Sequence, residues 1–313
     1  MERTAMWIPG WKRIWKGFWQ LADPKVWLAS TVPMLVAAVM AWRDTGRIPV
    51  FWLLAAMAGV YLIEIGKNAV NEFVDYESGV DRFVEPDKRT PFSGGKKTIV
   101  DGLLTVRETR WIAAATLAAA FVVGTAIAVW REPDIFWIGV LGLLLAVFYT
   151  LPPLKLSYRG WGEVTVGLTF GPLLLTGMYW VLAGTFAWKA IAAGVPLAFL
   201  IANVLWINQY PDYEADLKGN KRNGLVRLGK EKGLIVYRLL FVAAYAGLAA
   251  LTLIDRNPFW LLGCLSIPWA VKAVRVAAAF KDDIPRLMKA NACTLTVYQV
   301  TGLGMMLAAG LFG

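Results

Sequence analysis

Two groups of acidic and amide residues carry the chemistry that this chain can do. In the first, Asn71 is followed by Asp75 and Asp81; in the second, Asn208 is followed by Asp212 and Asp216. The ligand set holds oxygen donors alone. That suits a hard divalent ion such as Mg²⁺, which keeps several waters and is commonly shared with substrate phosphates. Lys88, Arg89, Lys96 and Lys97 follow the first group, and Lys218, Lys221 and Arg222 follow the second. A diphosphate could thus be held by metal on one side and by charge-assisted hydrogen bonds on the other.

Spacing sets the geometry expected of each group. Glu64, Asn68, Asn71 and Asp75 are separated by four, three and four residues, and Asn208, Asp212 and Asp216 by four each. Both sets therefore line one face of a helix. Lys67 borders the first stripe as a local partner for Glu64. Pro211 removes a backbone donor and is expected to kink the helix just before Asp212. A third polar segment on the same side runs from Tyr149 through Arg159 to Glu163. Glu163 is either buried opposite Arg159 or in contact with a second substrate.

Both groups end long apolar runs, where an ionised side chain costs roughly 2.5–3.5 kcal/mol at a helix centre and less near the interface. Of the 313 residues, 58% are hydrophobic and 17% charged. Runs near 20 residues recur, enough to cross a hydrocarbon layer about 30 Å thick, and helices satisfy their own backbone there. The runs predict nine spans, at about 26–42, 50–74, 111–130, 135–153, 162–184, 188–210, 235–254, 258–279 and 292–312.

With the N-terminus inside, 26 Lys and Arg fall on cytoplasmic segments and 5 on the opposite face, with Lys67 inside a span. This satisfies the positive-inside rule and places both acidic groups at the cytoplasmic surface of a cell inner membrane. The net charge of +10 is thereby accounted for without nucleic acid. Residues 1–22 read as an interfacial amphipathic helix, with Trp7, Trp11, Trp15 and Trp19 on one side. The chain reads as one domain over 1–313, with active-site loops at 75–110 and 211–234. The absence of His rules out a His base or a zincin-type site, and Cys264 and Cys293 form no C-x-x-C pair. An ion-coupled transporter is the alternative from another class, but carriers place their charges nearer the midplane.

The stretches Asn68 to Asp81, Tyr149 to Pro172 and Asn208 to Gly229 resemble the motifs of the UbiA superfamily of membrane prenyltransferases. Within it they resemble the branch that prenylates 1,4-dihydroxy-2-naphthoate in menaquinone biosynthesis. The resemblance implies an all-α polytopic bundle of about nine transmembrane helices around a central cavity open to the cytoplasmic face. It implies Mg²⁺, with Mn²⁺ as a substitute, and transfer of an isoprenoid chain from a polyprenyl diphosphate to an aromatic acceptor. For the naphthoate, decarboxylation would accompany transfer and give demethylmenaquinone. Other acceptors in the superfamily are 4-hydroxybenzoate, homogentisate, chlorophyllide, haem and a glycerophosphate lipid.

Carried onto this sequence, Asn71, Asp75, Asp81, Asp212 and Asp216 would be catalytic, with Asn68 and Asn208 completing the metal set. Lys88, Arg89, Tyr149, Arg159, Lys218 and Lys221 would hold diphosphate. Glu64, Lys67 and Glu163 would meet the acceptor, and Glu64, Glu163 and Tyr149 are the candidates to remove its proton. The chain departs from the family pattern at Lys67, Glu72, Pro211 and Asn223.

Overall fold

The computed structural model describes residues 10–84, 88–92 and 95–311; Trp7 and the rest of 1–9 lie outside them. Every regular element among the described residues is helical. A surface helix α1 (Gly10–Ala22) leads into α2 (Leu28–Thr45), α3 (Val50–Glu77) and the single turn α4 (Val80–Phe83). Then come α5 (Val106–Trp130) and α6 (Ile135–Phe148). The helices α7 (Gly162–Leu168) and α8 (Leu174–Ala183) are joined through a π turn at Thr169–Leu173. The last elements are α9 (Trp188–Lys218), α10 (Gly224–Asp255), a 3₁₀ segment (Pro258–Ser266) running into α11 (Ile267–Phe280), and α12 (Ile284–Leu311).

Among the described residues, seven segments are long and apolar enough to cross a membrane: α3, α5, α7 with α8, α9, α10, the 3₁₀ segment with α11, and α12. The protein is an integral membrane protein. The other two expected spans fold as the 18-residue α2 and the 14-residue α6, about 27 Å and 21 Å long at 1.5 Å per residue. Large apolar side chains such as Trp111, Trp137, Leu239 and Leu253 point outward. Several bundle-facing positions are small. Ala37, Ala38 and Ala41 of α2 lie in one core with Leu175 and Met178 of α8 and Leu197 and Leu200 of α9.

Two helices run further than the apolar pattern alone suggests. The α3 helix continues to Glu77 and α9 to Lys218, so Asp75, Asp212 and Asp216 all sit on regular helix rather than in loops. The helix does not break at Pro211, since α9 passes through it as one element. The physical reason lies on α12. Proline leaves the carbonyl four residues back without its donor, and Asn291 Nδ2 donates to that carbonyl, Ile207 O, at 3.3 Å.

At the opposite end from the acidic groups, Lys189 and Tyr179 both bond Asp44 at 2.7 Å, and Arg43 reaches Asp255 at 3.3 Å. At the acidic end α1 lies across the bundle. Arg13 donates to Leu103 O at 2.7 Å, and Asn68 Nδ2 donates to Leu21 O at 3.2 Å. Trp11, Trp15 and Trp19 of α1 remain exposed.

Candidate active site

The two acidic groups converge. Asp75 is 1% exposed, and its carboxylate accepts from Tyr158 Oη at 2.6 Å, Lys221 Nζ at 2.8 Å and Asn71 Nδ2 at 3.0 Å. The same Lys221 ammonium lies 3.9 Å from Asp216 of the second group, whose other oxygen accepts from Asn223 Nδ2 at 2.7 Å. One lysine thus bridges helices α3 and α9. Gly219 makes the approach possible, because a Cβ there would overlap Val80 of α4. That contact sets α4, and with it Asp81, against the end of α9.

Asp81 is 2% exposed, with Lys97 Nζ 3.5 Å from Oδ1, and its Oδ2 has no hydrogen-bond partner. Burial, and then the nearby charge of Asp75, push its carboxyl up to about 7. Burial works against the charge on Lys221, but Asp75 and Asp216 outweigh it and hold the ammonium well above the usual lysine range. Burial and Asp75 raise the Tyr158 phenol, so it stays protonated and donates. Ser78 Oγ lies 2.8 Å from the same hydroxyl, and the ammoniums of Lys155 and Lys221 stand 5.1 and 5.4 Å from its ring centre.

The wall is built from elements far apart in sequence. Arg222 N donates to Tyr158 O at 3.1 Å, tying the turn after α9 to the polar segment before α7. Glu163 is buried and accepts from Gln209 Nε2 at 2.6 Å and from Gly224 N at 3.0 Å. Arg159 is exposed. Among the described residues no three carboxylates form a ready metal cage. Lys221 sits between Asp75 and Asp216 instead, and Mg²⁺ needs only one or two protein carboxylates beside water and phosphate.

The sequence profile of the UbiA prenyltransferase family matches residues 30–291. The chain belongs to this family. It is therefore a prenyltransferase. It is 26% identical over 309 residues to the 2-carboxy-1,4-naphthoquinone phytyltransferase of Synechocystis sp., covering 96% of this chain and 94% of that one. To the 1,4-dihydroxy-2-naphthoate octaprenyltransferase of Bacillus subtilis it is 25% identical, covering 94% and 91%. A UbiA homologue from Archaeoglobus fulgidus, solved bound to DMAPP and Mg²⁺, shares the fold with a TM-score of 0.67 at 17% identity. That likeness covers 92% of this chain and 98% of that one.

Asn68 and Asn208 bond neighbours outside the aspartate cluster. Asn208 Oδ1 accepts from Asn291 Nδ2 at 2.8 Å, and Asn68 bonds α1 as described. Lys218 is exposed, Arg89 pairs with Asp101 at 2.9 Å, and Lys88 is half-buried. The Tyr149 carbonyl accepts both the amide and the hydroxyl of Ser157 at 2.8 Å, folding the third segment back on itself. Glu64 is buried near the middle of α3 and lines an apolar cavity with Val60, Ile63 and Phe170; Lys67 is half-buried one turn on. Sequence reasoning missed Tyr158 and Asn223 as neighbours of the aspartates, and offered Lys97 without separating it from the cations around it. A lone Tyr in a Pro-rich turn carries no periodic signal, and Lys97 is one of several basic residues in its loop.

Proposed function

We propose that this enzyme transfers an isoprenoid chain from a polyprenyl diphosphate to 1,4-dihydroxy-2-naphthoate, releasing diphosphate and CO₂. The observation that supports the donor half is the convergence of Asp75, Asp81 and Asp216 on Lys221 at one end of the bundle. The acceptor rests on the names of the relatives together with the Asn68 to Asp81 and Asn208 to Gly229 motifs. The site faces the cytoplasm in this reading, because the Lys and Arg bias places that end of the helices inside.

A divalent ion fits the residues present. The donor set is all oxygen, and Asp81 Oδ2 is buried without a partner. Asn71, Asp75, Asp81, Asp212 and Asp216 would hold Mg²⁺, with Asn68 and Asn208 behind them. When bound, the ion supplies Lewis-acid neutralisation of the leaving diphosphate. The chain's own residues do the rest. Tyr158 and Asn71 fix the Asp75 carboxylate by donating to it. Lys221 and Lys97 bring buried positive charge to where diphosphate charge develops, the kind of prearranged electrostatics that dominates such catalysis. The allylic C–O bond to diphosphate breaks, the electron-rich ring carbon bonds the allylic carbon, and the acceptor carboxylate leaves as CO₂. The apolar tail lies among the helices, out of water.

Purified protein incubated with labelled geranylgeranyl diphosphate and a panel of aromatic acids identifies donor and acceptor by mass spectrometry. We expect a decarboxylated prenyl naphthoquinol, lost in Asp75→Ala and Asp212→Ala although both insert and fold, and lost with a chelator. Full transfer by either variant, or turnover in excess EDTA, overturns the site. Transfer to another ring alone overturns the acceptor.

A further inference from the structure

Glu72 stands beside Asn71 but makes its bonds elsewhere. It is 1% exposed, and Oε2 accepts from the amides of Lys96 and Lys97 at 2.8 and 3.0 Å. Oε1 accepts from Thr98 Oγ1 at 2.9 Å and from Ile99 N at 3.1 Å. An ionised carboxylate offers about four acceptor sites, so these bonds use its capacity and leave little for a metal. The carboxylate of one helix thereby fastens a strap of backbone, residues 96–99, that lies more than 20 residues further along the chain.

The strap's shape decides where two adjacent lysines go. Lys97 has φ +54°, a left-handed conformation that costs energy for any residue with a side chain and persists only where neighbours impose it. The turn sends Lys96 outward, to Asp23 beyond the end of α1 at 2.6 Å, while Gln20 of α1 donates to Lys96 O at 2.9 Å. It sends Lys97 inward, to Asp81, with its side chain 7% exposed. Gly95 closes the approach: a Cβ there would lie 2.5 Å from Asp81 Oδ1.

We propose that Glu72 is a positioning residue, which clamps the strap so that Lys97 is presented beside Asp81 to the diphosphate of the donor substrate. The identity of that anion rests on the prenyl diphosphate reading above; the clamp itself does not. A glutamate side chain is long enough to reach the strap from α3.

The test is Glu72→Gln in the full chain in detergent or nanodiscs, read by amide hydrogen exchange, Mn²⁺ binding and steady-state kinetics. The amides of Lys96, Lys97 and Ile99 should exchange at least tenfold faster. KM for geranylgeranyl diphosphate should rise about tenfold, the scale of a lost charge-assisted hydrogen bond, with KM for the aromatic acceptor unchanged. Mn²⁺ affinity measured without diphosphate should stay within about twofold, because Glu72 is no ligand. Lys97→Met should reproduce the KM rise with the strap amides still protected. If Glu72→Gln does not fold, Thr98→Val removes one of the four bonds and should loosen the same amides to a smaller degree. Unchanged exchange in these variants overturns the clamp, and so does loss of Mn²⁺ binding with the strap still protected. An unchanged KM in Lys97→Met overturns the presentation of Lys97. Should the unaltered protein transfer no prenyl group, the exchange and Mn²⁺ measurements still decide the role of Glu72, while the prenyl diphosphate reading fails separately.

Discussion

At the scale of single residues, the site is a balance between buried carboxylates and the cations set among them. Asp81 shows the balance most directly, because burial and Asp75 raise its carboxyl to about 7. The folded protein then holds this proton more tightly than the unfolded chain does. The contribution of Asp81 to stability therefore falls as pH rises from the ordinary carboxylate range through about 7, where the charge appears. In the proposed site a divalent ion would compete with the same proton. We expect Mn²⁺ to bind about tenfold more weakly at pH 6 than at pH 8, as read by titration with paramagnetic detection, and Asp81→Asn to flatten that difference. Equal affinity at both pH values would show that the proton and the ion do not share this carboxyl.

At the scale of helices, the periodic residues were legible in the sequence and their partners were not. The spacing of Asn71 with Asp75, and of Asp212 with Asp216, gave the helix faces correctly, because a repeat of three and four is a local property. The continuity of α9 through Pro211 was not legible. It depends on Asn291, which reaches Ile207 O from a helix about 80 residues away in sequence. Glu72 escaped for the same reason, since its bonds go to a strap whose shape no local pattern encodes. Asn291→Leu should destabilise the protein by about 1–3 kcal/mol by leaving a buried carbonyl unpaired. Denaturation in mixed micelles measures it, and an unchanged midpoint would mean that α9 bends to find another donor.

At the scale of the whole molecule, the two ends of the bundle do different work. The end far from the site is closed by neutralising contacts, with Asp44 held by Lys189 and Tyr179. Asp44→Ala should lower the melting temperature measurably, with KM for geranylgeranyl diphosphate unchanged in the same preparation. A shift in KM would mean that the ends are mechanically coupled. At the other end, Lys221 joins Asp75 to Asp216 before any ligand arrives. Carboxylates from two distant stretches of chain would otherwise repel one another and spread the inner rim of the bundle. With an ammonium wedged between them the rim is already drawn together, so the proposed diphosphate would meet a mould set in advance, and its binding energy would not be consumed in overcoming that mutual repulsion.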